Sequence, residues 1–296
     1  DEAKVIQDEK GKAIDIVKRV QGTGEKLIED FMIAANETVA THISNMDLPF
    51  IYRVHDLPNS DKIEDFSNLL KQLGYHLNVN MNSLTPKKMQ QILNDLRDKD
   101  EFMILSDMLL RSMKKAIYST NNIGHFGLAS KNYTHFTSPI RRFPDLTVHR
   151  LLRTYLFENR IDMETINFNA KYLIDVAEHS SETEVNAIEA EREVLDMKMA
   201  EYMEDHIGEE YDGIISGVTN FGLFIELSNL VEGLVHISTL PGYFEHVPEL
   251  LSLVSSDKKT KYRIGDKVRV KVINANKDQK IIDFELVKED KDGNKK

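Results

Sequence analysis

Residues 211–240 read "YDGIISGVTNFGLFIELSNLVEGLVHISTL". Short β-branched and aromatic runs alternate with Gly and Asn, which is the pattern of half-buried strands joined by tight turns. The stretch 262–287, "YRIGDKVRVKVINANKDQKIIDFELV", continues in the same way, with turns expected at Ile264–Asp266 and Asn276–Gln279. Five short strands within roughly 80 residues predict a small closed barrel, since closure is how a short antiparallel sheet disposes of its edges.

Working outward, the pattern changes at Gly208. Before it the chain reads as helices, so the fold class is multidomain α+β: a mostly helical first portion over 1–207, a five-stranded barrel over 208–288, and a polar tail, 289–296, expected to be disordered. "TGEKLIEDFMIAANETVATHI" opens a helix at Thr23, with Leu27, Phe31, Ala35 and Val39 predicted as its buried stripe. "SDKIEDFSNLLKQLG" places Ile63, Phe66, Leu70 and Leu73 on one face and stops at Gly74. "TPKKMQQILNDL" offers Thr85 as N-cap and Pro86 at the first helical position. A further helix is expected across Glu101–Ala116, and one long helix or two in tandem up to Gly208. No internal repeat is evident.

The 296 residues carry a net charge of −11 and no Cys. Disulfides and thiolate metal sites are thereby excluded, which suits a reducing cytoplasm, and no apolar run approaches the length of a membrane span. The chain opens "DEAKVIQ" without Met, as an internal piece of a longer protein would. Charge is unevenly distributed. From Arg111 to Arg160 nine bases face two acids, whereas from Ile161 to Glu209 fourteen acids face three bases. An acidic protein with one sharply basic segment is suited to a localised anion rather than to coating a polyanion.

Within the basic segment lies "YTHFTSPIRRFPD" (133–145). Thr137 or Ser138 as cap and Pro139 in the first turn predict a helix start there. Arg141 and Arg142 then fall where backbone N–H groups and the helix dipole already favour an anion, and a guanidinium fork binds phosphate oxygens in pairs. The residue types alone leave two readings: a phosphate site, or a surface helix start with ion pairs.

The longer block "HFGLASKNYTHFTSPIRRFPDLTVHR" (125–150) resembles the signature of the RNase II/RNase R family, the RNB-domain exoribonucleases. "KLIEDFMIAAN" (26–36), "YRVHDLP" (52–58) and "EAEREVLDMKMAEYM" (189–203) resemble flanking parts of the same family, and the barrel resembles an S1 RNA-binding domain of the OB-fold class. The likeness covers nearly the whole chain and lies nearer to RNase R. It implies hydrolysis of RNA from the 3′ end, one nucleotide at a time, with release of nucleoside monophosphates.

The resemblance also implies roles. Arg141 matches an arginine that holds a phosphate near the metals, and Arg142 is either a second clamp or a structural ion pair. Glu191 matches a glutamate near the 3′-terminal nucleotide. Glu29 matches one that accepts from a ribose hydroxyl, a contact that would separate RNA from DNA. Without the resemblance, Glu29 and Glu191 read as solvated helix residues. Ser138, Tyr133, His135 and His149 are candidate nucleotide contacts, the last three equally readable as buried packing. In the barrel, Phe221, Phe224 and His236 resemble a base-stacking face. Lys267 and Arg269 lie in a segment, Asp257–Lys280, with nine bases against three acids, consistent with an edge that tracks a phosphate backbone.

Such hydrolysis needs Mg²⁺ held by clustered carboxylates. In the family that cluster precedes the region resembled here. Asp95, Asp98 and Asp100 have helical spacing and read as a solvated helix end, so no metal ligands are assigned in this chain. The expected partners are therefore the 3′ end of single-stranded RNA and the N-terminal half of the same protein. A ribosome is a further candidate partner, and no membrane is expected. The competing readings are a non-catalytic RNA-binding or ribosome-associated adaptor and a helical protein-interaction scaffold.

Overall fold

The computed structural model describes residues 2–75, 84–99, 102–247 and 251–287. Asp100 and the tail 289–296 lie outside the described residues. The chain divides into two compact units, one of residues 21–99 and 105–188, the other of residues 1–20, 100–104 and 189–296.

The first unit is mainly helical. Helix α1 (Thr23–Asn45) buries Asn36, Ala40 and Ile43. The stripe expected on it is only partly right: Ala35 and Val39 are half-buried, but Leu27 and Phe31 are exposed, at 54% and 64%. Periodicity gave the helix correctly, but the face that meets the core is turned toward Asn36 and Ala40. Helix α2 (Ser60–Gln72) is capped by Asn59, whose side chain accepts from the Asp61 and Lys62 N–H groups. Gly74, at φ 81°, follows its end as expected. Helix α3 (Pro86–Leu96) has Thr85 as N-cap, accepting from Lys88 N–H, and Pro86 in its first turn. Helix α4 runs Phe102–Ser112.

Two short strands, β3 (Tyr52–Val54) and β4 (Ile117–Ser119), pair antiparallel and were not expected in the helical part. They enter the core with α1, helix α5 (Phe143–Leu152) and the first half of helix α6 (Met163–Glu204). Ile43, Phe50, Ile51, Val54, Val148, Tyr155 and Leu173 are all buried there. The segment 163–204 is one continuous helix of 42 residues.

The second unit opens with another pair that the helical reading missed: β1 (Glu2–Gln7) and β2 (Ala13–Arg19), an antiparallel hairpin. Its turn is held by the Asp8 carboxylate, which accepts from the N–H groups of Lys10 and Lys12, and by Gly11 at φ 80°. Ala13 N–H donates to Glu201 on the last turns of α6, so this hairpin is fastened to the helix.

The barrel follows as predicted. Strands β5 (Glu210–Thr219), β6 (Gly222–Leu227), β7 (Glu232–His236), β11 (Lys267–Asn276) and β12 (Ile281–Leu286) close in the order β11-β12-β7-β6-β5. Alternate residues point inward: Ile215, Leu223, Ile225, Val231, Val235, Val270, Val272 and Phe284 are fully buried. Gly233 has no side chain because Phe284 occupies that volume; a Cβ there would lie 2.5 Å from its ring. Between β7 and β11 the chain builds a feature absent from the expectation, a three-stranded antiparallel sheet of β8 (Phe244–Val247), β9 (Ser252–Ser255) and β10 (Lys261–Arg263). The multidomain α+β architecture with a five-stranded barrel therefore holds.

Candidate functional site

In the helical unit the segment before α5 is stitched to β3 by backbone hydrogen bonds. Arg53 N–H donates to Tyr133 O (2.9 Å), His55 N–H to Gly124 O (3.0 Å), and Phe126 N–H to His55 O (2.8 Å). Gly127 N–H donates to His55 Nδ1 at 2.9 Å, and a Cβ on Gly127 would lie 2.7 Å from that nitrogen. With Nδ1 accepting, the proton of His55 sits on Nε2, which donates to Lys114 O at 2.7 Å.

A nest of rings lies along this seam. His125 meets His55 and Tyr133 edge-on at 5.1 and 5.3 Å, and His135 meets Tyr133 and Tyr118 at 5.9 and 5.6 Å. Tyr118 Oη and His135 Nδ1 share a hydrogen bond of 2.8 Å. The Arg53 guanidinium sits 4.7 Å from the Tyr118 ring centroid and pairs with Glu184 at 2.6 Å. Burial lowers His125 to about 4, helped by His55 and Arg53. Burial, then Arg142 and Arg53, lowers His135 to about 3. Burial raises Tyr118 to about 12. At neutral pH His125, His135 and Tyr118 are therefore uncharged, and with their hydrogen bonds and ring contacts they form a floor.

On this floor stands the turn that carries the paired arginines. The helix does not begin at Pro139 as the sequence suggested. Residues 139–141 form a turn, Arg142 is the N-cap, and α5 starts at Phe143 with Pro144 in its first turn. The reason lies in Asp145, whose side chain is fully buried. Its Oδ1 accepts from Ser138 N–H (2.7 Å) and from the Arg142 guanidinium (2.8 Å), while the N–H groups of Arg141 and Arg142 fold back onto Ser138 O. That carboxylate draws Ser138 into a turn before helical spacing can start. Asp145 Oδ2, Arg142 Nε, Thr137 Oγ1 and Thr147 Oγ1 are buried with no hydrogen-bond partner among the described residues.

The two neighbouring arginines are consequently unlike. Arg142 is held in an ion pair, whereas Arg141 is exposed and its side chain makes no hydrogen bond or ion pair among the described residues. Ile140, wholly exposed, and Phe143, 44% exposed, flank it. Of the other candidates, Tyr133 is buried and takes a hydrogen bond from Asn36 Nδ2 at 3.1 Å. His149 stacks on Phe136 at 4.3 Å and donates through Nε2 to Phe136 O. His135 and Ser138 are half-buried, and Glu29 is exposed on α1. Sequence reasoning did not single out Arg53, Glu184, Tyr118, Asn36 or Asp145. Asp145 alone carried a local signal, its spacing of three from Arg142, which suits an ion pair across the first helical turn.

The barrel unit holds the remaining candidates. Glu191 is exposed on the part of α6 that belongs to this unit. Gly222 faces His236 and Phe224 faces Leu234 across the β6–β7 ladder, opposite in sense to the inward Leu223 and Val235. Phe221, 43% exposed, meets Phe224 edge-on at 5.9 Å, and Ile237 N–H donates to Phe221 O. Phe221, Phe224 and His236 thus share the outer face. Phe224 is half-buried and also lines a cavity of about 310 Å³ with Asp196, Glu232, Leu234 and Lys280. Lys267 is exposed with no ion pair among the described residues, while Arg269 is bound to Glu210 (3.0 Å) and Asp212 (3.4 Å). Among the described residues no group of three or more His, Asp or Glu is disposed to hold a metal ion, and no helix is long and apolar enough to cross a membrane.

Comparison with known proteins gives a family match to each of two stretches of the chain. The model of the RNB domain matches residues 1–158, and that of the S1 RNA-binding domain matches residues 204–286. The chain is 48% identical over 287 residues to ribonuclease R 1 of Lactococcus lactis, covering 97% of this chain and 35% of that protein. It is 45% identical over 294 residues to ribonuclease R of Thermotoga maritima, covering 99% and 41%. The chain thus spans about two-fifths of the length of these relatives. Among solved structures it is similar to Mycoplasma genitalium RNase R in its apo form and in complex with ribose-methylated single-stranded RNA. Each has a TM-score of 0.88 and 32% identity over 97% of this chain and 45% of the other.

Proposed function

We infer that this chain, which belongs to the RNB-domain ribonuclease family and carries an S1 domain behind it, serves a hydrolytic, processive 3′-to-5′ exoribonuclease of the RNase R type. In that reaction water attacks the last phosphodiester, the bond from phosphorus to the 3′ oxygen of the preceding nucleotide breaks, and a nucleoside 5′-monophosphate leaves. The observation that carries the reading is Arg141: a guanidinium with no ion pair among the described residues, on a turn braced by a buried carboxylate, beside a neighbour whose charge is already spent. A planar fork held this way suits a phosphate whose charge grows in the transition state. Arg142 and Asp145 position it, and the neutral Tyr118–His135 floor keeps competing charge away.

Mg²⁺ would polarise the phosphate and activate water, and its ligands are proposed to come from carboxylates of another segment of the enzyme. Phe221 and His236 are the stacking residues for the incoming strand, and Glu29 and Glu191 are proposed contacts to its terminal sugars. The proposed setting is the cytoplasm and the proposed ligand the 3′ end of single-stranded RNA.

The test uses 5′-labelled single-stranded RNA with Mg²⁺. This chain alone should bind and leave the RNA intact, and stepwise shortening should appear only with the longer enzyme. Robust shortening by this chain alone would show that the metal carboxylates have been misplaced. In the longer enzyme Arg141→Ala should lower kcat far more than RNA affinity; an unchanged kcat removes Arg141 from the mechanism.

A further inference from the structure

The cations between Lys258 and Lys280 are of two kinds, and besides those named next Lys267 and Lys271 are also exposed with no ion pair among the described residues. Arg263, Arg269, Lys277 and Lys280 are each paired with a carboxylate of the same unit: Asp266, Glu210 and Asp212, Glu201, and Glu193 respectively. Lys258, Lys259 and Lys261 are exposed and make no ion pair among the described residues. All three sit on the β9–β10 turn of the three-stranded sheet or one residue beyond it.

The one acid of that turn, Asp257, is exposed and offsets one of the three lysine charges, while its carboxylate is engaged by the turn itself. Asp257 accepts from Ser255 Oγ (2.6 Å) and from Lys259 N–H (3.1 Å), interactions that hold its carboxylate below the usual range. Its charge shapes the turn and brings Lys258 to φ 56°. Tyr243 stands next to this turn, because its carbonyl accepts from both the N–H (3.0 Å) and the Oγ (3.1 Å) of Ser256. Its ring is 71% exposed. The sheet's other aromatics behave differently: Phe244 is buried and packs on Tyr262 at 5.5 Å. Glu245 shares the face of Lys261 but lies two strands away, across Val254.

We propose that this turn is a second contact for single-stranded RNA, in which Tyr243 stacks on a base and Lys258, Lys259 and Lys261 neutralise the phosphates beside it. An exposed ring flanked by uncommitted ammonium groups is the combination that binds nucleic-acid strands without regard to sequence. Lysine suits it, being a flexible point charge that follows a moving backbone. The site is also within reach of the proposed stacking face. Seven residue steps separate His236 from Tyr243, so the two lie no more than about 25 Å apart along the chain. The proposal rests on the reading that Phe221 and His236 meet RNA, and extends that track onto the inserted sheet.

The experiment measures affinity of the whole chain for a fluorescent oligouridylate across a salt series, with two sets of variants. Lys258→Ala/Lys259→Ala/Lys261→Ala should weaken binding roughly tenfold at low salt and lower the salt slope by about 2, the amount for three phosphates on a single strand. The corresponding Lys→Arg triple variant should keep both. Tyr243→Leu should weaken binding about fivefold or more, and Tyr243→Trp should not. Ultraviolet crosslinking to 4-thiouridine RNA should mark the peptide containing Tyr243. Wild-type affinity and slope in the lysine triple variant, with no crosslink at Tyr243, would overturn the proposal. So would equal affinity for polyglutamate of matching charge, which would make the turn a surface for acidic protein. Loss of binding in Phe221→Ala and His236→Ala with no loss in the turn variants would sink this proposal and leave the stacking face standing. The opposite pattern would remove the stacking face and keep the turn.

Discussion

Removing the Asp145 carboxylate should unfasten the arginine turn, and the structure gives the size of the effect. Its Oδ1 takes two donors at 2.7 and 2.8 Å, one of them the charged guanidinium of Arg142, whose side chain is only 21% exposed. Hydrogen bonds to charged groups contribute about 1.5–3 kcal/mol each. Breaking a buried ion pair by deleting one partner costs about 3–5 kcal/mol, because the other charge stays behind. Asp145→Ala should therefore destabilise the helical unit by about 3–5 kcal/mol, which at a urea slope of about 2 kcal/mol/M moves the midpoint down by roughly 1.5–2.5 M. Asp145→Asn keeps an acceptor for Ser138 N–H and should lose about half as much. The chain has no Trp, so unfolding is followed by near-ultraviolet circular dichroism of the tyrosines around Tyr118 and Tyr133. Adding Arg142→Ala to Asp145→Ala should restore part of the loss, since no unpaired charge remains. A fall of less than about 1 kcal/mol in Asp145→Ala, or a double variant as unstable as the sum of the singles, would refute the reasoning.

The ring nest makes a pH prediction. His125 and His135 are lowered by burial to about 4 and about 3, below the ordinary value of 6.5 that the unfolded chain restores. Between those values the unfolded chain binds more protons, so stability is level above about pH 6.5 and declines as pH falls toward 4 and 3. Urea midpoints measured from pH 8 to pH 4 should show that decline, and His135→Gln should reduce it; an equal decline in the variant removes His135 from the cause. In the barrel, a Cβ at Gly222 would lie 2.2 Å from Val235 O, a backbone atom that cannot step aside. Gly222→Ala should therefore destabilise the barrel by about 1–3 kcal/mol and weaken RNA binding through the neighbouring Phe221 and His236. A stable variant with displaced RNA binding would instead show that the ladder has slack.

Legibility in the sequence followed the locality of the cause. Thr85 and Pro86 act on their own helix end, and helix α3 begins where those residues say. The barrel was legible because its inward residues alternate strictly through Leu223, Ile225 and Leu227. The start of α5 was misread because the deciding contact runs backward from Asp145 to Ser138, over seven residues. The orientation of α1 was misread because both Leu27/Phe31 and Ala40/Ile43 recur at helical spacing, and only packing against β3 and α6 chooses between them. The β1–β2 hairpin did leave a sign, an Asp8–Gly11 turn between alternating residues, but charged residues on both strands hid the alternation. At the site, the separate fates of Arg141 and Arg142 were half legible: a structural ion pair was one of the two readings of Arg142, and its spacing of three from Asp145 suits one, but only the fold shows which reading holds.

The pairing of β11 with β5 and of β12 with β7 completes the barrel's hydrogen-bond circuit, and the link from β7 to β11 joins in at its ends, through Ile237 N–H on Phe221 O and through Gly265 N–H and Asp266 O on Ile215. Between those ends the link is free to lengthen. Doubling a flexible connection adds only about 0.6 kcal/mol of closure entropy, so sequence can accumulate there while the ring of strands keeps its register. In this chain the freedom has been used to raise a small sheet with its lysines outward. The same site offers an engineer, or a lineage, a place to retune grip on a strand while leaving the scaffold that folds beneath it untouched.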